Sequence, residues 1–182
     1  DHVSQICERA FSNCKKLKKV EFSENSELKI IEKFVFSDCP LESFVIPSHL
    51  VELNEGWTNN ASRLNEIKIM KNNQNFVFYK NVFIFKKTNQ KSDCFDELVF
   101  ARPSISVIMI PSFIRRISSF VFNGIQNLKS VTFSNDSELQ SIGKEAFSNS
   151  SIASIFIPPC VNLVFFHFAR NFKSLKFHNI HN

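Results

Sequence analysis

The stretch Ile117-Ser118-Ser119-Phe120-Val121-Phe122-Asn123-Gly124-Ile125-Gln126-Asn127-Leu128-Lys129-Ser130-Val131-Thr132-Phe133 places apolar residues at 117, 122, 128, 131 and 133, in steps of 5, 6, 3 and 2. Ile6, Phe11, Leu17, Val20 and Phe22 repeat those steps. Ile31, Phe36, Leu41, Phe44 and Ile46 follow 5, 5, 3, 2, and so do Ile142, Phe147, Ile152, Ile155 and Ile157. Leu53, Thr58, Leu64, Ile67 and Ile69 keep 5, 6, 3, 2 with Thr58 in place of Phe, and Trp57 is positioned to fill that volume. A last copy, Leu163, Phe168, Phe172, Leu175 and Phe177, is one residue shorter. The distances Phe11 to Phe36 and Phe122 to Phe147 are each 25 residues. A period of that size is the mark of a solenoid, in which one unit cannot bury its apolar side alone and stacked copies bury a continuous column.

The chemistry of each part of the repeat is readable. The closing 3-then-2 spacing puts its last two apolar residues on one face of a short strand, with the residue between them facing out. Ile46-Pro47-Ser48, Ile110-Pro111-Ser112 and Ile157-Pro158-Pro159 follow the strand in three copies. Proline lacks the N–H a ladder needs and ends it. The returning I-x-x-x-A/V-F step predicts a short helical turn or an irregular segment on the opposite, convex side. The expected fold is an α/β leucine-rich-repeat solenoid with short parallel strands on its concave face, in one domain over residues 1–182. Residues from about 71 to 103 break the pattern: Phe76 to Phe85 reads as a hairpin, and the polar run Lys86 to Asp96 follows. That segment is expected to be an expanded repeat inside the solenoid.

Composition narrows the function. The chain carries 22 Phe but 3 Gly, which suits a repeated aromatic core and argues against glycine loops that cradle phosphate. The net charge is +5, yet the densest cluster, Lys15, Lys16, Lys18 and Lys19, is followed at once by Glu21, Glu24 and Glu27, as on a solvated face. The aromatic residues sit at core positions and are not available to stack on bases, so no nucleic acid is expected. Ser148 to Ala169 lacks Asp, Glu, Lys and Arg, but Pro158-Pro159 interrupts it and the repeat accounts for its apolar residues, so no membrane span is expected. The five cysteines, Cys7, Cys14, Cys39, Cys94 and Cys160, form no CxxC and are expected to be mostly buried thiols. Cys14 and Cys39 occupy equivalent positions, and a disulfide between stacked neighbours is the alternative there. His178 and His181 are spaced for a metal on a helix but have no Cys or carboxylate cluster beside them, and are read as terminal residues. No cofactor, metal or catalytic group is expected. The sequons at Asn60, Asn135 and Asn149 are as many as chance supplies in a chain this rich in Asn and Ser.

The motifs Ile142-Gly143-Lys144-Glu145-Ala146-Phe147-Ser148-Asn149, Arg9-Ala10-Phe11-Ser12-Asn13-Cys14 and Ile110-Pro111-Ser112-Phe113-Ile114-Arg115-Arg116-Ile117 resemble the BspA-type leucine-rich repeat of bacterial and protozoan surface antigens. Phe78-Tyr79-Lys80-Asn81-Val82-Phe83 resembles an irregular repeat that interrupts such arrays. The resemblance implies a cell-surface or secreted protein engaged in adhesion and carries no catalytic residues. A cytoplasmic scaffold using the same surface is the alternative.

Strand stacking turns outward residues into ladders. One ladder is expected to read Glu21, Val45, Lys68, Met109, Thr132, Phe156 and Lys176, and its neighbour Lys19, Ser43, Glu66, Val107, Ser130, Ser154 and Ser174. Val45, Val107, Met109 and Phe156 are apolar where solvent favours polar groups, and an exposed aromatic is a typical interface anchor. Val107, Met109 and Phe156 are the expected contacts with a protein or glycan, and Glu21, Lys68 and Lys176 the charges at the rim. The N-terminus, Asp1-His2-Val3-Ser4-Gln5-Ile6, has neither an initiator Met nor an apolar signal core, pointing to a chain excised from a longer one. No polar cap follows Phe177, so the C-terminal end is expected to be a fragment boundary or a self-associating surface.

Overall fold

The computed structural model describes residues 2–164 and 173–177. The first coils contribute β1 (Gln5–Ile6), β2 (Lys19–Val20), β3 (Ile30–Ile31), β4 (Ser43–Ile46), β5 (Glu52–Leu53) and β6 (Glu66–Ile69). The irregular stretch contributes β7 (Phe76–Tyr79), β8 (Phe83–Lys86) and β9 (Glu97–Ala101). The coils that follow contribute β10 (Val107–Ile110), β11 (Arg116–Ile117), β12 (Ser130–Phe133), β13 (Ser141–Ile142), β14 (Ser154–Ile157), β15 (Leu163–Val164) and β16 (Ser174–Phe177).

Each regular coil sends strands into two parallel columns. The broad column holds β2–β4–β6, then β10–β12, then β14–β16. β4, β10 and β14 stop at Ile46, Ile110 and Ile157, each directly before a proline that cannot extend the ladder. The narrow column pairs Ile6 with Ile31 and Ile31 with Leu53, and, further along, Leu98 with Ile117 and Ile117 with Ile142.

The side expected to carry short helical turns or irregular segments carries, among the described residues, no helix but a third ladder of hydrogen-bonded turns. The amides of Ala10, Ser12 and Cys14 close turns onto Cys7, Arg9 and Phe11 of their own coil, while Arg9, Phe11 and Asn13 donate to Lys33, Val35 and Ser37 of the next. Phe120, Phe122 and Gly124 donate likewise to Lys144, Ala146 and Ser148. Alternate amides thus serve the coil and its neighbour, a division that a helix, with every amide bonded within its own segment, does not permit. The turns require left-handed backbone at two positions four apart, and Arg9/Asn13, Phe34/Asp38, Gly56/Asn60, Phe120/Gly124 and Glu145/Asn149 all have positive φ.

Phe36, Phe44, Phe122 and Phe147 are fully buried, each worth about 1.5–3 kcal/mol relative to exposure. Trp57, 2% exposed, does occupy the core opposite the Thr58 gap, with its ring 4.8 Å from Phe44.

Residues 76–101 build an antiparallel wall, β7–β8–β9, between two apolar cores. Phe76, Ile84, Val99 and Phe100 enter the core of the early coils, whereas Phe83, Phe85, Leu98 and Ala101 enter that of the later ones. A strand buried on both faces is apolar almost throughout, which explains the unbroken Phe76-Val77-Phe78-Tyr79 and Phe83-Ile84-Phe85 runs. The turn column skips the wall: the ring of Phe34 meets Phe120 at 5.1 Å, and Ser119 Oγ donates to Glu55 Oε1 at 2.9 Å.

Two expectations are corrected. In β15 it is Val164 that pairs with Ile142, whereas Leu163 pairs with Ser141 and is 47% exposed, so the last coil enters its core one residue later than the spacing suggested. The cysteines are free, and of the five only Cys39 is buried; Cys14 is half-buried, and Cys7, Cys94 and Cys160 are exposed. Phe168, Phe172, His178 and His181 lie outside the described residues.

Candidate functional site

The broad column brings the expected outward residues to one side of the molecule. Val45 lies opposite Lys68, Met109 opposite Thr132, and Phe156 opposite Lys176. Glu21 follows β2 directly, beside the β2–β4 register of Lys19 with Ser43. The ladder is not continuous. The wall stands between Lys68 and Met109, and β12 lies beside β14 without regular pairing.

The interruption divides the face into two chemically distinct parts. The early part is charged and polar. Lys19 Nζ and Glu21 Oε1 are 2.8 Å apart, and that hydrogen bond and charge hold the ammonium above its ordinary value. Lys18 pairs with Glu42 at 3.1 Å. Arg102, which closes the wall, donates from Nη2 to Asn65 O at 2.8 Å and Asn81 Oδ1 at 3.0 Å, with its guanidinium 5.7 Å from the Phe78 ring. Lys19, Glu21, Asn65, Asn81 and Arg102 line an open depression of about 490 Å³ together with Val45, Glu66 and Lys68. Val45 is only half-exposed there.

The later part is apolar and hydroxylic. Val107, Met109 and Phe156 are 68%, 64% and 53% exposed. Thr132 is exposed and its hydroxyl donates to Ile108 O at 3.2 Å. Ser130, Ser154 and Ser174 form the adjoining ladder. Lys176 Nζ sits 5.3 Å from the centroid of Phe156, so the aromatic face is covered by a cation, an arrangement worth about 0.5–1 kcal/mol at an exposed site.

Sequence reasoning missed Arg102 and Asn81, which have no counterpart in the regular repeat, and Asn65, whose carbonyl Arg102 reaches from the wall. It also missed Phe113, 42% exposed, which follows Pro111 in a turn where another coil carries His49. Among the described residues no group of three or more His, Cys, Asp or Glu could hold a metal ion. No helix among them is long and apolar enough to cross a membrane.

Coils that stack short parallel strands in register around a column of buried aliphatic and aromatic residues define a leucine-rich-repeat solenoid. The chain belongs to the BspA type leucine-rich repeat region family, whose six-copy pattern matches residues 1–92 and again 93–182. No curated protein matches it significantly. Among solved structures, the pneumococcal vaccine antigen PcpA is similar with TM-score 0.77 and 21% identity, over 99% of this chain and 50% of that one. A leucine-rich cell surface protein of Faecalibacterium prausnitzii gives TM-score 0.77 and 19% identity, over 97% and 51%. A leucine-rich-repeat protein of Eubacterium ventriosum gives 0.70 and 18%, over 97% and 58%. The chain therefore spans about half the length of these neighbours, and at such identities the likeness is one of fold.

Proposed function

We propose that this chain is a non-catalytic recognition module, displayed at a cell surface or secreted, that grips a protein or glycan through its broad-strand face. The observation that carries the reading is the exposure of Val107, Met109 and Phe156 on the same side of the solenoid. Leaving large apolar side chains in water is unfavourable to the isolated chain, and burying them against a partner reverses that. Glu21, Lys68 and Lys176 flank them and set charge complementarity, which governs encounter and orientation more than affinity. The family and the surface proteins that share the fold support the surface placement.

The test is binding of labelled chain to intact cells beside a folded Phe156→Asp variant. Saturable binding weakened by the substitution supports the face; equal binding by both chains contradicts it.

A second reading, an intracellular scaffold using the same face, is favoured by one observation. Cys7, Cys94 and Cys160 are free and exposed, a state that reducing compartments preserve. Protease treatment of intact source cells separates the two: digestion of the native protein places it outside, and full protection places it inside.

A further inference from the structure

The wall does more than interrupt the ladder. Its side facing the later coils carries Tyr79 and Phe85, and the next coil swings Phe113 onto them. Phe113 lies edge-on to both, with ring centroids at 6.0 and 5.7 Å and interplanar angles of 82° and 87°. With Phe95, these rings line a cavity of about 350 Å³, within the range of ligand pockets and large enough for a bulky side chain. Because the regular coils lack this insertion, the cavity owes its walls to the hairpin and to Phe113 together.

Two polar pairs border the cavity. Asp96 accepts from the Thr88 amide at 3.0 Å and from the Thr88 hydroxyl at 2.9 Å. Arg115 donates from Nε to Glu138 Oε2 at 3.0 Å, and its Nη2 lies 3.0 Å from the same oxygen. The lining between these pairs is made by Val77, Phe85, Phe95 and Phe113, and covering it rewards an apolar side chain by about 25 cal/mol for each Å² removed from water. An apolar group needs nothing from the two pairs. The cavity also lies at the end of an exposed apolar run within one coil, Val107, Met109 and Phe113, the first two of which belong to the broad-strand face. A polypeptide laid along this coil would meet Val107, then Met109, and then the cavity.

From these relations we propose that the cavity receives one aromatic side chain of an extended segment of a partner protein, the anchor of an interface whose remainder lies on Val107 and Met109. The inference rests on the broad-strand reading above and narrows its partner to a protein. Interfaces concentrate their energy in this way, on a few large side chains seated in desolvated pockets.

Cys94, exposed and lining the cavity, is a native reporter of its occupancy. The experiment measures iodoacetamide alkylation of Cys94 by mass spectrometry in a Cys7→Ser, Cys160→Ser chain, with acetyl-Ala-Ala-Trp-Ala-Ala-amide as probe. The controls are the all-alanine peptide and methyl glucoside, and the emission of buried Trp57, measured without the probe, reports folding of each variant. At a probe concentration ~10-fold above its Kd the rate should fall about tenfold. The alanine peptide and the glycoside should leave it unchanged, and Phe113→Ala and the milder Phe113→Leu should each weaken the protection. Protection by the glycoside instead, no saturable protection by the tryptophan peptide, or protection indifferent to both Phe113 variants would overturn the proposal. Cell binding separates the two readings. If Met109→Asp abolishes it and Phe113→Ala does not, the anchor site fails and the face stands; if neither matters, the face itself fails.

Discussion

The rings of Phe122 and Phe147 lie parallel, 3° between planes, with centroids 5.0 Å apart. They are 25 residues apart in the chain, so one period of sequence is one step of the stack. Both are no more than 2% exposed, whereas their counterpart Phe11 is 43% exposed. Phe147→Ala should therefore lower stability by about 3–5 kcal/mol, and Phe11→Ala by much less, since cavity cost follows burial. Urea unfolding of the three chains checks this; equal losses would mean that the stack is not the source of stability.

Of the three glycines, Gly143 leaves the least room for a side chain against its neighbouring coil. A Cβ there would lie 2.4 Å from Ser119 N and 2.7 Å from Ser118 C, both backbone atoms that cannot turn aside. Gly143→Ala should destabilise by about 1–3 kcal/mol, the usual result of overpacking, although alanine is otherwise the easier residue to order. A thermal midpoint unchanged or raised by the substitution would contradict the spacing of these coils.

Glu145 holds φ at 53°, where a side chain is strained and glycine is not. Its neighbour Gly143 must stay glycine, but Glu145→Gly should raise stability by about 1 kcal/mol, the relief of left-handed strain exceeding the added freedom of the unfolded chain. Loss of stability would show that the turn column is built differently.

Burial pushes the Cys39 thiol above its ordinary value of 9.0, and its Sγ donates to Phe11 O at 3.0 Å. Because the folded state holds this proton more tightly than the unfolded one, its contribution to stability is complete below the ordinary thiol value. It is lost as pH rises from there through the folded value. Iodoacetamide at neutral pH should label Cys7, Cys94 and Cys160 in the native chain and reach Cys39 only after unfolding. Labelling of Cys39 at the rate of Cys7 would contradict its burial.

The strands were legible because their signal is local. Two apolar residues two apart, followed by proline, specify a short strand and its end, as at Ile108, Ile110 and Pro111. The turn column was not legible. I-x-x-x-A/V-F fits a helical period, and Arg9, Phe34, Phe120 and Glu145 are poor advertisements for left-handed backbone. At Arg9 and Phe120 the positive φ accompanies an amide bond to the next coil, which no window of one coil contains. A partial signal existed two residues after each core Phe, where Asn13, Asp38, Gly124 and Asn149 are the residue types that tolerate φ > 0. The outward residues of the broad column followed from alternation alone. What alternation could not give was the break between Lys68 and Met109, nor the partners of Arg102, because both depend on where the inserted wall docks. Leu163 misled because Val164, beside it, is equally apolar and the core takes only one of them.

Recognition on the broad-strand face is open to a direct test. A photo-crosslinking amino acid placed singly at Met109, at Phe156, and at Lys33 and Lys144 in the turn column would test it most directly on intact cells. Positions 109 and 156 should give saturable adducts, competed by unlabelled chain, and positions 33 and 144 none. Adducts confined to the turn-column positions, or formed equally from all four, would contradict it.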